Sequence, residues 1–496
     1  MNTTQLQLLV NTNNKRWFQI LANLERSSSL STKELANLLE SSPRTITSNI
    51  SEIKTYFEQT ASITSSTNGF TLTINDKVAY LDKKKELLEY EPILTILSGI
   101  FYGDQLSIFE WADRSYLSDR TLISYLKKVE PILEHYQLNI NYQSLLFIEG
   151  KEIDIRNFFL VIFYEEDTLP HFILPSILIN NVVSNLSMTE FNYLHLNVPH
   201  YKLAYLLFIT YQRISLGYEL KISDDIIDTL LNSNLANAMQ ELKLSFEKQT
   251  ELDLPSSDLA YLMLILLDSG SYDDKLLLSS TNSRDLDAIF SPLIHDFCKE
   301  LDITMDTLTK NYLQSFFHLY YLKNEASPTC LFFPPSVTNY FETNYQSELK
   351  TLKELLSNYP DGFWHTTPAK FENNLLLASI RLIYKSTVKH VNIAFLFEGP
   401  TEVTTVLEEL THMYIPSNHT LYFFHAHTLL EEEIDRLSIQ LVVTNFSEYI
   451  FDLPKDVHYL LFSYIPTAAD WNKLVQYIDP RVSKKYKTTF SVDIDI

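Results

Sequence analysis

Apolar positions near the start of the chain recur at helical spacing in short blocks, and one pair of blocks is the same pattern written twice. Residues 30–53 and 106–129 align without a gap at an offset of 76. Leu30, Ser31, Glu34, Ala36, Ser42, Arg44, Thr45 and Ser48 recur as Leu106, Ser107, Glu110, Ala112, Ser118, Arg120, Thr121 and Ser124, while Ile46, Ile50 and Ile53 recur as Leu122, Leu126 and Val129. Each block holds two helix starts. Ser31 with Glu34, and Ser107 with Glu110, fit the capping box, in which a hydroxyl accepts from a first-turn amide and the acid reaches back to the cap. Eleven residues later Ser42 and Ser118 cap a second helix, the first followed by Pro43 where a missing N–H costs nothing. A short helix, a tight turn and a longer helix have the proportions of a helix-turn-helix.

The faces of the second helices point to their use. At about 100° per residue, Ile46, Ile50, Ile53 and Phe57 form one apolar stripe, as do Leu122, Leu126, Val129 and Leu133. Opposite them lie short polar and basic residues: Arg44, Thr45, Thr47, Ser48, Ser51, Lys54 and Thr55 in the first copy, Arg120, Thr121, Ser124, Lys127 and Lys128 in the second. An arginine near the N-terminus of each helix stands where base edges are usually read, so these residues are the candidate DNA contacts. Pro131 is expected to bend or end the second of these helices.

Period-2 segments follow each copy. Residues 63–66 and 70–74 flank Thr67-Asn68-Gly69, a hairpin signal in which Asn-Gly is expected to supply positive φ. Residues 138–142 and 145–149, separated by Gln143-Ser144, give a weaker one. Two winged helix-turn-helix domains in tandem are expected, over 1–82 and 83–154. From 155 to 390 the pattern is helical, with segments 201–217, 224–248, 257–267 and 305–322 and a proline-containing loop at 324–337. A division near 282 gives two helical bundles, 155–282 and 283–390. In 391–496, strand patterns at 391–397, 420–425, 439–444 and 458–464 alternate with helical ones at 401–413, 429–437 and 471–478, predicting an α/β domain with a largely parallel sheet. The fold class is therefore multidomain and mainly α.

Charge changes the picture only once it is placed along the chain. The net charge of −23 looks unsuited to DNA. Residues 1–156 carry 16 Lys and Arg against 19 Asp and Glu, whereas the remaining 340 residues carry 23 against 43. Phosphate contact must then come from local faces: Lys15, Arg16, Lys33, Arg44, Lys54 and Lys83-Lys84-Lys85, with modest, salt-dependent affinity. The acidic remainder repels DNA from other faces. Cys298 and Cys330 supply neither a disulfide framework nor a zinc cluster, the N-terminus is polar, and apolar runs are too short to span a bilayer, which together suggest a cytoplasmic protein without a membrane partner.

In this order of domains the chain resembles the Mga/AtxA type of transcriptional regulator of Gram-positive bacteria, related to activators carrying phosphotransferase-system regulation domains (PRDs). Ser42-Pro43-Arg44-Thr45-Ile46, Ser118-Asp119-Arg120-Thr121-Leu122 and Phe147-Ile148-Glu149-Gly150 leading into 153–159 carry the likeness. The resemblance implies a homodimeric DNA-binding regulator, most simply an activator, with PRD-like helical domains phosphorylated on histidine by phosphotransferase-system phosphocarriers and a terminal domain similar to an EIIB component. His195 and His200, ahead of Arg213, and His318 are the candidates. The chain departs from the sugar-operon relatives in offering Tyr205 and Leu206 where they often carry a histidine two turns before such an arginine.

Other chemistry has little support. The loop Phe397-Glu398-Gly399-Pro400-Thr401-Glu402 lacks the nucleophilic cysteine of a phosphotransferring EIIB domain, and its carboxylates repel phosphate, so the terminal domain is expected to serve protein contact. There is no nucleotide-binding glycine loop, His425 and His427 have no evident third metal ligand, and no catalytic set stands out. No enzyme activity, cofactor or metal is expected. The alternative to a DNA-binding regulator is an adaptor whose winged helices bind protein.

Overall fold

The computed structural model describes residues 3–166, 168–186, 199–233, 235–267, 283–301, 303, 305–333, 335–359, 368–386, 390–415, 419–424, 431–450, 453–454 and 457–478. The chain divides into two compact units, Met1–Ser379 and Ile380–Ile496. It is mostly helical, with a small parallel sheet in the second unit.

The first unit opens with a helical turn, α1 (Thr4–Gln7), and then builds a winged helix-turn-helix from α2 (Thr12–Arg26), α3 (Thr32–Leu38), α4 (Pro43–Phe57) and the hairpin β1 (Ala61–Ser66) and β2 (Gly69–Ile74). Ile20, Leu21, Leu24, Leu35, Ile46, Ile50, Ile53 and Phe57 form its core. After α5 (Lys77–Glu86) the same plan returns as α6 (Pro92–Tyr102), α7 (Ile108–Arg114), α8 (Asp119–His135), β3 (Asn139–Asn141) and β4 (Phe147–Glu149).

Both capping boxes form, and Ser42 and Ser118 accept from Thr45 N–H at 3.1 Å and Thr121 N–H at 3.2 Å. The tight turns match as well. Glu40 and Tyr116, again 76 apart, take the left-handed conformation at φ 49° and 54°, and Ser41 N–H and Leu117 N–H reach back to the carbonyls of Ala36 and Ala112 at 2.9 and 2.8 Å. Neither is glycine, so no sequence signal marks them.

Three details depart from the sequence reading. The wing turn is Thr67-Asn68, and positive φ falls on Gly69 (121°) and not on Asn68. Its reason is proximity: a Cβ on Gly69 would stand 2.4 Å from the backbone of Leu30, with which Phe70 exchanges two hydrogen bonds. Helix α8 runs through Pro131 to His135, because buried Val129 and Leu133 hold it on either side while Lys127, whose carbonyl loses its partner, is exposed to water. The pattern at 224–248 is two helices, α12 (Asp224–Leu231) and α13 (Ala236–Thr250).

The second winged helix shares one continuous apolar core with the helices behind it: α9 (Glu152–Leu160), which ends in a π turn at Val161–Glu165, α10 (Ile177–Ser184), α11 (His200–Ser215), α12, α13 and α14 (Ser256–Leu266). Beyond them lie α15 (Ser283–Glu300), α16 (Thr307–Ala326), a 3-10 turn at Pro328–Leu331, α17 (Pro335–Asn344), α18 (Gln346–Leu356) and α19 (Pro368–Ser386). The expected loop at 324–337 is thus partly helical. His195, His425 and His427 lie outside the described residues.

The second unit alternates β5 (Asn392–Leu396), α20 (Thr401–Tyr414), β6 (Thr420–Phe423), α21 (Glu431–Arg436), β7 (Leu441–Thr444), β8 (His458–Leu461) and α22 (Ala468–Ile478). All pairings are parallel in the order β6-β5-β7-β8. Alternation in β5 sends Ile393 and Phe395 to the face packed by Leu407, Trp471 and Leu474, and Ala394 and Leu396 to the face packed by Ile434 and Ile439. Helices therefore cover both faces, as a parallel sheet requires.

Candidate nucleic-acid interface

Helices α4 and α8 each bury one apolar stripe and leave the opposite face open. On α4, Arg44, Thr47, Ser48 and Ser51 are exposed, and Thr45 and Lys54 are half-buried. Thr45 shares a hydroxyl contact of 2.8 Å with the cap Ser42, Thr47 donates to the Pro43 carbonyl, and Ser48 donates to Glu52. Lys54 leans to the wing, 3.4 Å from the Ser65 hydroxyl and 5.9 Å from the centre of the Phe70 ring. On α8, Arg120, Ser124, Lys127 and Lys128 are exposed, Thr121 repeats the cap contact at 2.8 Å, and the Lys128 ammonium lies 5.4 Å from the centre of the Tyr125 ring. Arg44 and Arg120 make no hydrogen bond or ion pair among the described residues, leaving both guanidinium groups available.

The copies differ in charge at equivalent places. Ser51 and Glu52 of α4 correspond to Lys127 and Lys128 of α8, which makes the second face the more basic. The first copy has the longer wing, whose tip, Ser65 to Asn68, is exposed, uncharged and rich in hydroxyl groups that can contact phosphate.

Some expected phosphate contacts are engaged inward. Lys84 is buried on Glu25 at 2.8 Å, and Lys83 donates to the Tyr56 carbonyl with its ammonium over the Tyr56 ring. Arg16 donates to Asn49, and Lys15 is half-buried, with burial lowering its pKa from the ordinary lysine range. Lys33 is exposed on α3.

Behind this face, α9 carries a polar network that sequence reading missed. Glu152 makes a two-pronged ion pair with Arg213 of α11 at 2.8 and 2.7 Å and also binds Arg156, which pairs with Asp258 of α14 at 2.6 Å. Burial opposes the Arg156 charge, but Asp258 and Glu152 outweigh it and hold the group above the ordinary arginine range. Asp154 accepts from Ser327 and Thr329, and Asn157 bonds Thr329 and Tyr261. A cleft of about 700 Å³ lies between β4, the start of α9 and residues 218–223, with Arg213 among its lining residues.

The histidine candidates differ in access. His200 is exposed as the first residue of α11, whereas His318 is buried on α16. After β5, the Glu398 carboxylate accepts from Tyr449 at 2.6 Å, and Asn445 exchanges hydrogen bonds with the Glu398 backbone.

Residues 84–163, which hold α6 to α9, match the family described as the Mga helix-turn-helix domain. The chain carries the helix-turn-helix domain of a Mga-type regulator. The match points to a DNA-binding transcriptional regulator, since the matched stretch is a module of a regulatory DNA-binding family. No curated protein matches the chain. The Mga module reaches through α9 into the polar network, so its last helix is shared with the helical region behind it. No helix among the described residues is long and apolar enough to cross a membrane.

Proposed function

We propose that both winged helices of this Mga-type protein dock on duplex DNA, α4 and α8 entering adjacent stretches of major groove and the wings lying against the backbone. The supporting observation is the repeated recognition geometry: two helices with the same caps and the same turn, each presenting an unengaged arginine in its first turn. Arg44 and Arg120 read base edges; Thr45, Thr47, Ser48, Ser51, Thr121 and Ser124 support them; Lys54, Lys127 and Lys128 hold phosphates.

The helical modules act as PRD-like regulatory domains, with phosphotransferase-system phosphorylation as the input and a homodimer, most simply an activator, as the output. His200 is the accessible candidate among the described residues; phosphorylation of His318 requires its helix to open. A phosphohistidine adds negative charge and acceptor oxygens, enough to repack a helical interface. The α9 network offers the route by which such repacking reaches the Mga module. The EIIB-like terminal unit serves contact between copies.

Gel-shift titration with A·T-rich and curved duplexes at low and moderate salt separates this reading from an adaptor role. Binding that weakens steeply with salt supports it; absence of any duplex binding favours the adaptor. Incubation with enzyme I, the phosphocarrier HPr and phosphoenolpyruvate, followed by mass spectrometry, tests the input. Phosphate on none of His195, His200 and His318 removes the phosphotransferase link through these residues.

A further inference from the structure

The first residues of the chain do not belong to the first winged helix. Leu6, Leu8 and Leu9 are buried in the large core of the Mga module and the helices behind it, whereas the first winged helix has a core of its own. Helical turn α1 is pinned by a carboxylate far along the chain. Glu166 accepts from Thr4 N–H at 2.8 Å and Gln5 N–H at 2.6 Å, satisfying two first-turn donors. Gln5 is fully buried, and its side-chain amide donates to Ile162 at 2.7 Å and accepts from the backbone N–H groups of Thr168 and Leu169. A second buried carboxylate finishes the attachment. Glu91, at the N-cap of α6, accepts from Val10 N–H, Asn11 N–H and the Asn14 side chain, and Asn14 also donates to the Leu87 carbonyl.

The first winged helix is thus held at both ends. Its incoming strand of chain bonds the Glu91 carboxylate and, through Asn14, the outgoing junction at Leu87, and Phe18 of α2 reaches into the large core beside them. A domain on one linker turns about it; two buried attachments at a shared junction remove that freedom. We propose that residues 3–11 are a strap that fixes the direction of α4 relative to α8. Gln5, Glu91 and Glu166 are then positioning residues for DNA specificity, although none faces DNA. Given the DNA-binding reading, on which this inference rests, the protein recognises one bipartite site of fixed spacing, because the second helix meets its half-site only where the first has already set the phase.

Two measurements test this, one of them independent of DNA. Nitroxides on Asn68→Cys and Ser144→Cys, in the two wing turns, report the distance between the wings by pulsed electron resonance; Cys298 and Cys330 are buried. One narrow distance is expected for the otherwise unaltered chain and a broad distribution once Gln5→Ala and Leu6→Ala are added, with Leu6→Met alone keeping the narrow peak. In the second measurement, a duplex selected from a random pool by the full chain is lengthened between its two footprinted halves. An insertion of about 5 bp, half of the roughly 10.5 bp helical repeat, is expected to weaken binding about tenfold or more, while the strap variant becomes indifferent to it. A narrow distance retained in the strap variant, or equal wild-type affinity with and without the insertion, overturns the proposal. If no duplex is selected, the DNA reading fails, and the distance measurement still decides whether the strap fixes the two domains.

Discussion

Glu91 holds a carboxylate against three donors in a place from which water is excluded, and this sets its response to pH. Burial raises its pKa from the ordinary range, and the hydrogen bonds from Asn14, Val10 and Asn11 recover only part of that rise. A carboxylate with a raised pKa in the fold stabilises the fold relative to the unfolded chain below its unfolded value, about 4.3, and this contribution is lost as pH rises through the folded value. Wild type should therefore gain stability relative to Glu91→Gln as pH falls from neutral through that window, read from urea midpoints of both proteins; a gap that narrows on acidification contradicts the burial argument. Gly69→Ala is a second residue-level case. With φ at 121° and backbone 2.4 Å from the new Cβ, nothing can move aside cheaply, so a loss of roughly 1–3 kcal/mol is expected, with faster hydrogen exchange in the first wing. At this scale the sequence showed the caps and the arginines, because short-range pairs such as Ser31 and Glu34 carry their own spacing. It hid Gln5 and Glu166, polar residues 161 positions apart that pass for surface until the fold joins them.

Among the elements, α9 has the most consequence. It is buried nearly all round, yet carries Glu152, Asp154, Arg156 and Asn157, which bond Arg213, Asp258 and the Thr329 that Asp154 and Asn157 share, all outside α9. Such groups are costly to bury singly and tolerable only in pairs. Asp258→Ala leaves buried Arg156 only Glu152, which it shares with Arg213, and should cost about 3–5 kcal/mol, whereas an exposed ion pair such as Lys350–Glu354 should contribute about 0–1 kcal/mol; thermal or urea unfolding compares them. Hydrophobic period located α4, α8, α11, α14, α16 and the parallel-sheet strands, whose apolar runs need cover on both faces, but it did not single out α2, α6, α15, α18 or α19. It failed where tertiary packing overrides local preference: it expected α8 to bend or end at Pro131, through which Val129 and Leu133 carry the helix to His135, and it fused α12 with α13, which separate between Leu231 and Ala236.

Over the whole molecule, charge is divided along the chain, and the larger, acidic share is mainly helical. Most of the net charge lies behind residue 156, so repulsion should discourage duplex DNA from approaching faces other than those of α4 and α8. The second unit holds a four-stranded parallel sheet with Tyr459 and Leu461 exposed on its edge strand β8. If it provides the dimer contact, sedimentation of a chain ending near residue 390 should give a monomer where the full chain gives a dimer; an unchanged dimer places the interface in the first unit. The claim on which the rest depends is that α4 and α8 both read DNA. Fluorescence anisotropy of a bound duplex across a salt series, comparing wild type with the Arg44→Ala, Arg120→Ala double variant, tests it most directly. Base-reading arginines are each expected to contribute roughly 1–3 kcal/mol, so the double variant should bind at least tenfold more weakly and lose its preference between duplexes. Unchanged affinity and unchanged preference would show that these helices are not the reading surface.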